Sequence, residues 1–180
     1  SQNSSFKILE LGFGTGINFV ETAKKFEELE RSLEYSSIEY ALLSPKQIEE
    51  VLSNEQNQIT EKLLSELGKN LIALKESKRL DFQITDKIKL KLFLSDWRKA
   101  SINDSFNAIY HDPFAKQINP DCWTEEIFKY YYTILKKGGS LATYSCAGQV
   151  QKNLRSAGFN VYKVPGPSRK RHVIKAIKES

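Results

Sequence analysis

Three glycines at alternate positions, Gly12, Gly14 and Gly16, follow an apolar run that ends at Leu11, and Glu10 stands just before them. Glycine reaches backbone angles closed to other residues and lets a ligand approach the main chain closely. In an open parallel sheet such a loop lies at the carboxyl ends of the strands, where ligands bind. Two more acids close apolar stretches: Glu39 after "EYSSI" and Asp96, beside Trp97, after "LKLFLS". A fourth, Asp112, follows "FNAIYH". Strand-end capping accounts for Glu39 or Asp96 taken singly, and core packing for Trp97. Acids ending three successive strands beside one glycine loop are harder to explain that way. The dinucleotide pattern G-x-G-x-x-G requires glycine or alanine at position 17, which is Ile17. A pyrophosphate also favours a helix N-terminus without a nearby acid. An acid before the loop suits a ligand that carries positive charge.

The elements that must position these groups can be read from apolar spacing. Phe6–Leu11 reads as a buried strand, and Asn18 to about Leu33 has helical spacing. Tyr35–Tyr40 reads as a strand, and Pro45 suits a helix start. Ile59 to Leu74 is amphipathic. Phe82–Thr85 and Ile88–Leu94 alternate like two strands around a turn at Asp86-Lys87, and Phe106–His111 is a further strand. Thr124–Leu135 reads as a helix stopped by Gly138-Gly139, with a strand at Ser140–Ser145 and a helix at Gln149–Ala157. Phe159–Val164 and His172–Lys178 close the chain with only a loop between them, so they are expected to pair antiparallel. Strands alternating with helices predict an α/β fold with a mostly parallel sheet and an antiparallel C-terminal strand.

The 180 residues read as one domain, residues 1–180, and the 40% hydrophobic content suffices for a core. No apolar run approaches the roughly 20 residues of a membrane helix, and no N-terminal signal segment is present. A cytoplasmic protein without a membrane partner is expected. Cys122 and Cys146 make no disulfide framework, and with His111 and His172 the only histidines, no metal site is expected. There is no methionine, so the chain reads as a trimmed piece of a longer protein. Residues 145–180 hold eight basic residues and one acid, Glu179, while the rest of the chain carries −2 of the net +5. A basic tail on a nearly neutral body fits either a polyanionic partner or ordinary solubilising lysines.

The spacing E-x-G-x-G-x-G from Glu10 to Gly16 resembles the first motif of class I (Rossmann-like) methyltransferases that use S-adenosyl-L-methionine. That cofactor has no phosphate and carries a sulfonium and an ammonium, which matches the acid at Glu10. Longer blocks narrow the resemblance. "LELGFGTGINF", "DPFAKQINPDCWTEEIF", "GGSLATYSCAGQVQKNLRSAGF" and "KVPGPSRKR" closely resemble the methyltransferase part of the bacterial MnmC family, from Ile8 to Arg171. The resemblance implies methylation of the aminomethyl group on a modified wobble uridine of transfer RNA. It implies a cofactor site at Glu10, Gly12, Gly14, Gly16, Asn18, Glu39 and Asp96. For such a cofactor Glu39 is placed to accept the ribose hydroxyls and Asp96 the adenine amine, and Trp97, by its place beside Asp96, to cover the adenine ring. Asp112 falls at the family's active-site acid.

Many family members carry a C-terminal flavin oxidase, and this chain resembles the standalone type, with no FAD and an oxidase, if any, as a separate partner on the same nucleoside. Anticodon-loop bases favour aromatic platforms and phosphates favour basic groups. Phe114 and Trp123 are the aromatic candidates, and Arg169, Lys170 and Arg171 the phosphate candidates. Trp123 reads equally well as a core anchor for the helix that follows. Two departures touch loops: Lys116 replaces a family proline, and "GPSRKR" replaces "GFGRKR". Only seven residues precede Ile8, where members usually have some tens. A class I methyltransferase acting on a small molecule or protein side chain, and a non-catalytic binding module of the same fold, are the alternatives.

Overall fold

The computed structural model describes residues 5–55, 57–100, 102–113, 119–166 and 172–179. The chain divides into two compact units, Ser1–Ser101 and Ile102–Ser180. The first runs β1 (Phe6–Leu11), α1 (Ile17–Glu28), β2 (Leu33–Glu39), α2 (Pro45–Leu52), α3 (Gln58–Ser77), β3 (Arg79–Gln83) and β4 (Ile88–Leu94). Its strands lie in the order β3-β4-β2-β1. The β1–β2 and β2–β4 pairs are parallel, and β3 pairs antiparallel with β4. The hairpin expected around Asp86-Lys87 is present.

Burial explains these elements. Ile8 to Leu11 are all buried, as a strand covered on both faces requires. Helix α1 buries Phe19, Val20 and Ala23, and α3 buries Ile59, Leu63, Leu67 and Leu74 at helical spacing. Each such large side chain contributes roughly 1.5–3 kcal/mol by leaving water. Pro45 opens α2, as expected, behind a reciprocal Ser44–Gln47 capping box.

Helix α1 ends five residues before the sequence suggested. Glu30 takes a left-handed φ of 52°, and the Arg31 N–H turns back to the Phe26 carbonyl at 2.9 Å. Leu33, placed on the helix by its spacing, is instead the buried first residue of β2.

The second unit runs β5 (Phe106–His111), a 3-10 turn (Pro120–Trp123), α4 (Glu125–Ile134), β6 (Leu135–Thr143), α5 (Gly148–Ser156), β7 (Asn160–Val164) and β8 (Val173–Ile177). The strand order is β5-β6-β8-β7. Strands β5 and β6 are parallel, and β8 pairs antiparallel with both β6 and β7. The antiparallel closing strands are as expected. Gly138-Gly139 is not a helix stop but part of β6. From Leu135 to Ser140 β6 advances five residues while β5 advances two, from Phe106 to Ala108. Gly138 bends the surplus with φ 73°, and a Cβ on Gly139 would come within 2.8 Å of Leu135 Cγ.

Candidate active site

The glycine loop leaves β1 and enters α1. Gly12, Gly14 and Gly16 all take positive φ, at 92°, 52° and 78°. Two of them are glycine for different reasons. At Gly14 a Cβ would meet nothing within 4 Å, so the backbone angle alone selects the residue. At Gly16 it would also lie 2.9 Å from Phe13 Cζ, a ring buried beneath the loop. Gly16 heads α1 with no side-chain cap.

Acids surround this loop at the carboxyl ends of parallel strands. Glu10 is wholly buried and stands in register with Ser37 of β2. Its Oε1 accepts from Asn18 Nδ2 and its Oε2 from Ser37 Oγ, each at 2.9 Å. A buried carboxylate requires such donors. Glu39 is 7% exposed. Its Oε2 accepts from the Gly14 N–H at 3.0 Å and its Oε1 from the Ala41 N–H at 2.9 Å. The Ser95 N–H donates to the Glu39 carbonyl at 3.0 Å, which sets the end of β4 beside that of β2. Asp96 follows, with Oδ1 accepting from the Arg98 N–H at 2.9 Å and Oδ2 from Arg98 Nη2 at 2.6 Å. Hydrogen bonding to Arg98 holds the Asp96 carboxyl below the usual aspartate range. Trp97 is half-buried, with the Arg98 guanidinium carbon 6.0 Å from its ring centre.

Every residue expected to bind the cofactor lies in the first unit. Asn18 is bonded to Glu10 and Gly14 to Glu39, whereas Asp96 is engaged by Arg98. Sequence reasoning missed Ser37 and Phe13. Ser37 is one of two adjacent serines in a buried strand, a pattern that signals a polar partner next door. Tyr40, 81% exposed directly after Glu39, was also given no role.

In the second unit Asp112 is exposed between two buried neighbours, His111 and Pro113. Burial pushes the His111 imidazole down to about 3, and the nearby Cys122 backbone offsets only part of that shift. His111 is therefore neutral near pH 7. Its Nδ1 lies 3.2 Å from Tyr131 Oη, and its ring meets Trp123 edge-on at 4.5 Å. Trp123 is only 2% exposed. Its ring packs against His111 and Tyr144 and has almost no surface left for a stacked base, which matches the reading as a core anchor. Phe114, Arg169, Lys170 and Arg171, and also Lys116, lie outside the described residues.

Left-handed glycines, a helix start without a side-chain cap and acids at the ends of β1, β2 and β4 are chemically compatible with a cationic nucleoside, and the α/β fold is one that methyltransferases share. The chain belongs to a family of S-adenosyl-L-methionine-dependent methyltransferases, whose family model matches residues 54–179. A protein of Leptospira interrogans named as the bifunctional tRNA 5-methylaminomethyl-2-thiouridine biosynthesis protein MnmC is 34% identical over 177 residues, covering 95% of this chain and 27% of its own length. The protein of the same name from Pseudoalteromonas translucida is 32% identical, covering 94% and 28%. The chain thus spans about a quarter of these relatives. The crystal structure of MnmC2 from Aquifex aeolicus superposes with a TM-score of 0.70 at 24% identity, over 97% of this chain and 53% of that one. The resemblance to the methyltransferase part of MnmC and the mostly parallel α/β fold are thereby both borne out.

Proposed function

We propose that this chain, acting as a single methyltransferase domain over residues 1–180, N-methylates the aminomethyl group of a modified wobble uridine in transfer RNA. The product of 5-aminomethyl-2-thiouridine would be 5-methylaminomethyl-2-thiouridine. The observation that carries the cofactor half is the Glu39 carboxylate bound to the Gly14 N–H, with a buried acid, Glu10, behind the same loop. The substrate half is supported by the names of relatives that align with 95% of the chain. We place the reaction in the cytoplasm, with the anticodon loop as the macromolecular partner and a separate oxidase acting on the same nucleoside. Among the described residues no helix is long and apolar enough to cross a membrane.

When bound, S-adenosyl-L-methionine supplies a methyl group already activated on a sulfonium. Positioning is then the main task left to the protein. Each Glu39 oxygen accepts one protein N–H and keeps lone pairs for the ribose hydroxyls. Glu10 holds the Asn18 amide by its nitrogen and so fixes that side chain at the start of α1. Asp96 and Trp97 serve the adenine. Asp112 accepts N–H bonds from the substrate amine and orients its lone pair. Because a nearby carboxylate raises the pKa of an amine, Asp112 is an orienting acceptor first and a proton acceptor late. Phe114 and the basic run Arg169–Arg171 hold the RNA. Asp112→Ala is expected to depress turnover far more than cofactor affinity, and near-normal turnover would remove this role.

A further inference from the structure

We propose that Tyr144 is a positioning residue for methyl transfer, tying down the Asp112–Pro113 segment from the neighbouring strand. The proposal rests on the assignment of Asp112 as the acceptor for the substrate amine. His111 of β5 and Thr143 of β6 are the last register pair of two parallel strands, so Asp112 and Tyr144 leave the sheet side by side. Tyr144 Oη donates to the Pro113 carbonyl at 2.9 Å, across 31 positions of sequence. Proline has no N–H, so the carbonyl is the only backbone polar group of Pro113. Pro113 is buried, and a buried carbonyl needs a donor. Tyr144 supplies it.

The tyrosine is itself held. Its ring meets Trp123 edge-on at 5.7 Å, and Trp123 meets His111 at 4.5 Å. Burial, and next the charge of Asp112, hold the Tyr144 phenol above its ordinary range, so it keeps the proton it donates. Asp112 is therefore an exposed carboxylate on a segment pinned at both ends, by the core imidazole before it and the tethered carbonyl after it. Misplacing a reacting group by about 1 Å can cost roughly a hundredfold in rate. Loss of a single tether is expected to cost about tenfold on the same grounds.

The test uses the full chain with Tyr144→Phe, Asp112→Asn and the double variant, assayed on transfer RNA carrying the aminomethyl nucleoside. Tyr144→Phe is expected to lower kcat about tenfold with KM and S-adenosyl-L-methionine affinity nearly unchanged. In the double variant it should add nothing to Asp112→Asn, because the tyrosine acts through the aspartate. Multiplying losses would overturn the proposal. Wild-type turnover in Asp112→Asn would remove the assignment of Asp112 and the positioning role with it. Urea unfolding reads the tether without any substrate. Tyr144→Phe leaves the buried Pro113 carbonyl without its donor, so the midpoint is expected to fall, and an unchanged midpoint would overturn the tether whatever the chain methylates.

Discussion

The Glu39 carboxylate accepts a hydrogen bond from the Gly14 backbone N–H at 3.0 Å, 25 positions away. An acid at the end of β2 thus braces the loop that leaves β1, and the same carboxylate keeps lone pairs for a ligand. Loop shape and ligand recognition are coupled through one side chain.

That coupling predicts a binding defect on loss of the carboxylate. Glu39→Ala removes the brace on Gly14 and the ribose acceptor together. Hydrogen bonds to charged groups are worth about 1.5–3 kcal/mol, so S-adenosyl-L-methionine affinity should fall about tenfold to a hundredfold. Calorimetry checks this, and NADH titrated in parallel should show no binding.

Ser37→Ala probes the buried acid. It removes the Ser37 Oγ donor to Glu10 while changing little volume. A buried carboxylate that loses a donor costs roughly 1–3 kcal/mol, so the denaturation midpoint should fall by a corresponding amount. Glu10→Gln should restore part of the loss in the Ser37→Ala background, because the neutral amide needs less compensation.

The two loop glycines should separate in stability. Gly14→Ala meets only the left-handed penalty, roughly 1–2 kcal/mol, since its Cβ would point into open space. Gly16→Ala meets that penalty and also the Phe13 ring at 2.9 Å, so it should be the more destabilising. Urea unfolding of both variants gives the comparison.

His111 predicts an acid-side loss of stability. Its folded pKa, about 3, lies below the ordinary value of 6.5. The unfolded chain therefore binds a proton that the folded chain refuses between these values. The contribution is intact above pH 6.5 and declines as pH falls toward 3, by about 1.4 kcal/mol per pH unit. Unfolding free energy measured below about pH 6.5 should carry this slope, and His111→Phe should lose it.

Much of the fold was legible because its signals are local. Pro45 behind Ser44, the Asp86-Lys87 turn and the loop-only link before the last strand each announce a connection by residue type. Glu39, Asp96 and Asp112 stand out in the sequence because they follow apolar runs, and Glu10 because it is an acid within one. What escaped depends on partners distant in sequence. Leu33 has the spacing of the preceding helix, but pairing with β1 and β4 draws it into β2. Gly138-Gly139 reads as a stop until β6 must match β5. Ser37 acquires meaning only through its register with Glu10, and Tyr144 only through the Pro113 carbonyl. Trp123 could face solvent or core, and the cluster with His111 decides for the core.

The central claim is methyl transfer to the wobble aminomethyl nitrogen. Transfer RNA bearing 5-aminomethyl-2-thiouridine, incubated with the chain and S-adenosyl-L-methionine and digested to nucleosides, reports on it directly by mass spectrometry. The account predicts a new 5-methylaminomethyl-2-thiouridine peak at the expense of the aminomethyl nucleoside, absent with Asp112→Ala. A cofactor-binding chain that leaves the nucleoside unmethylated would contradict it.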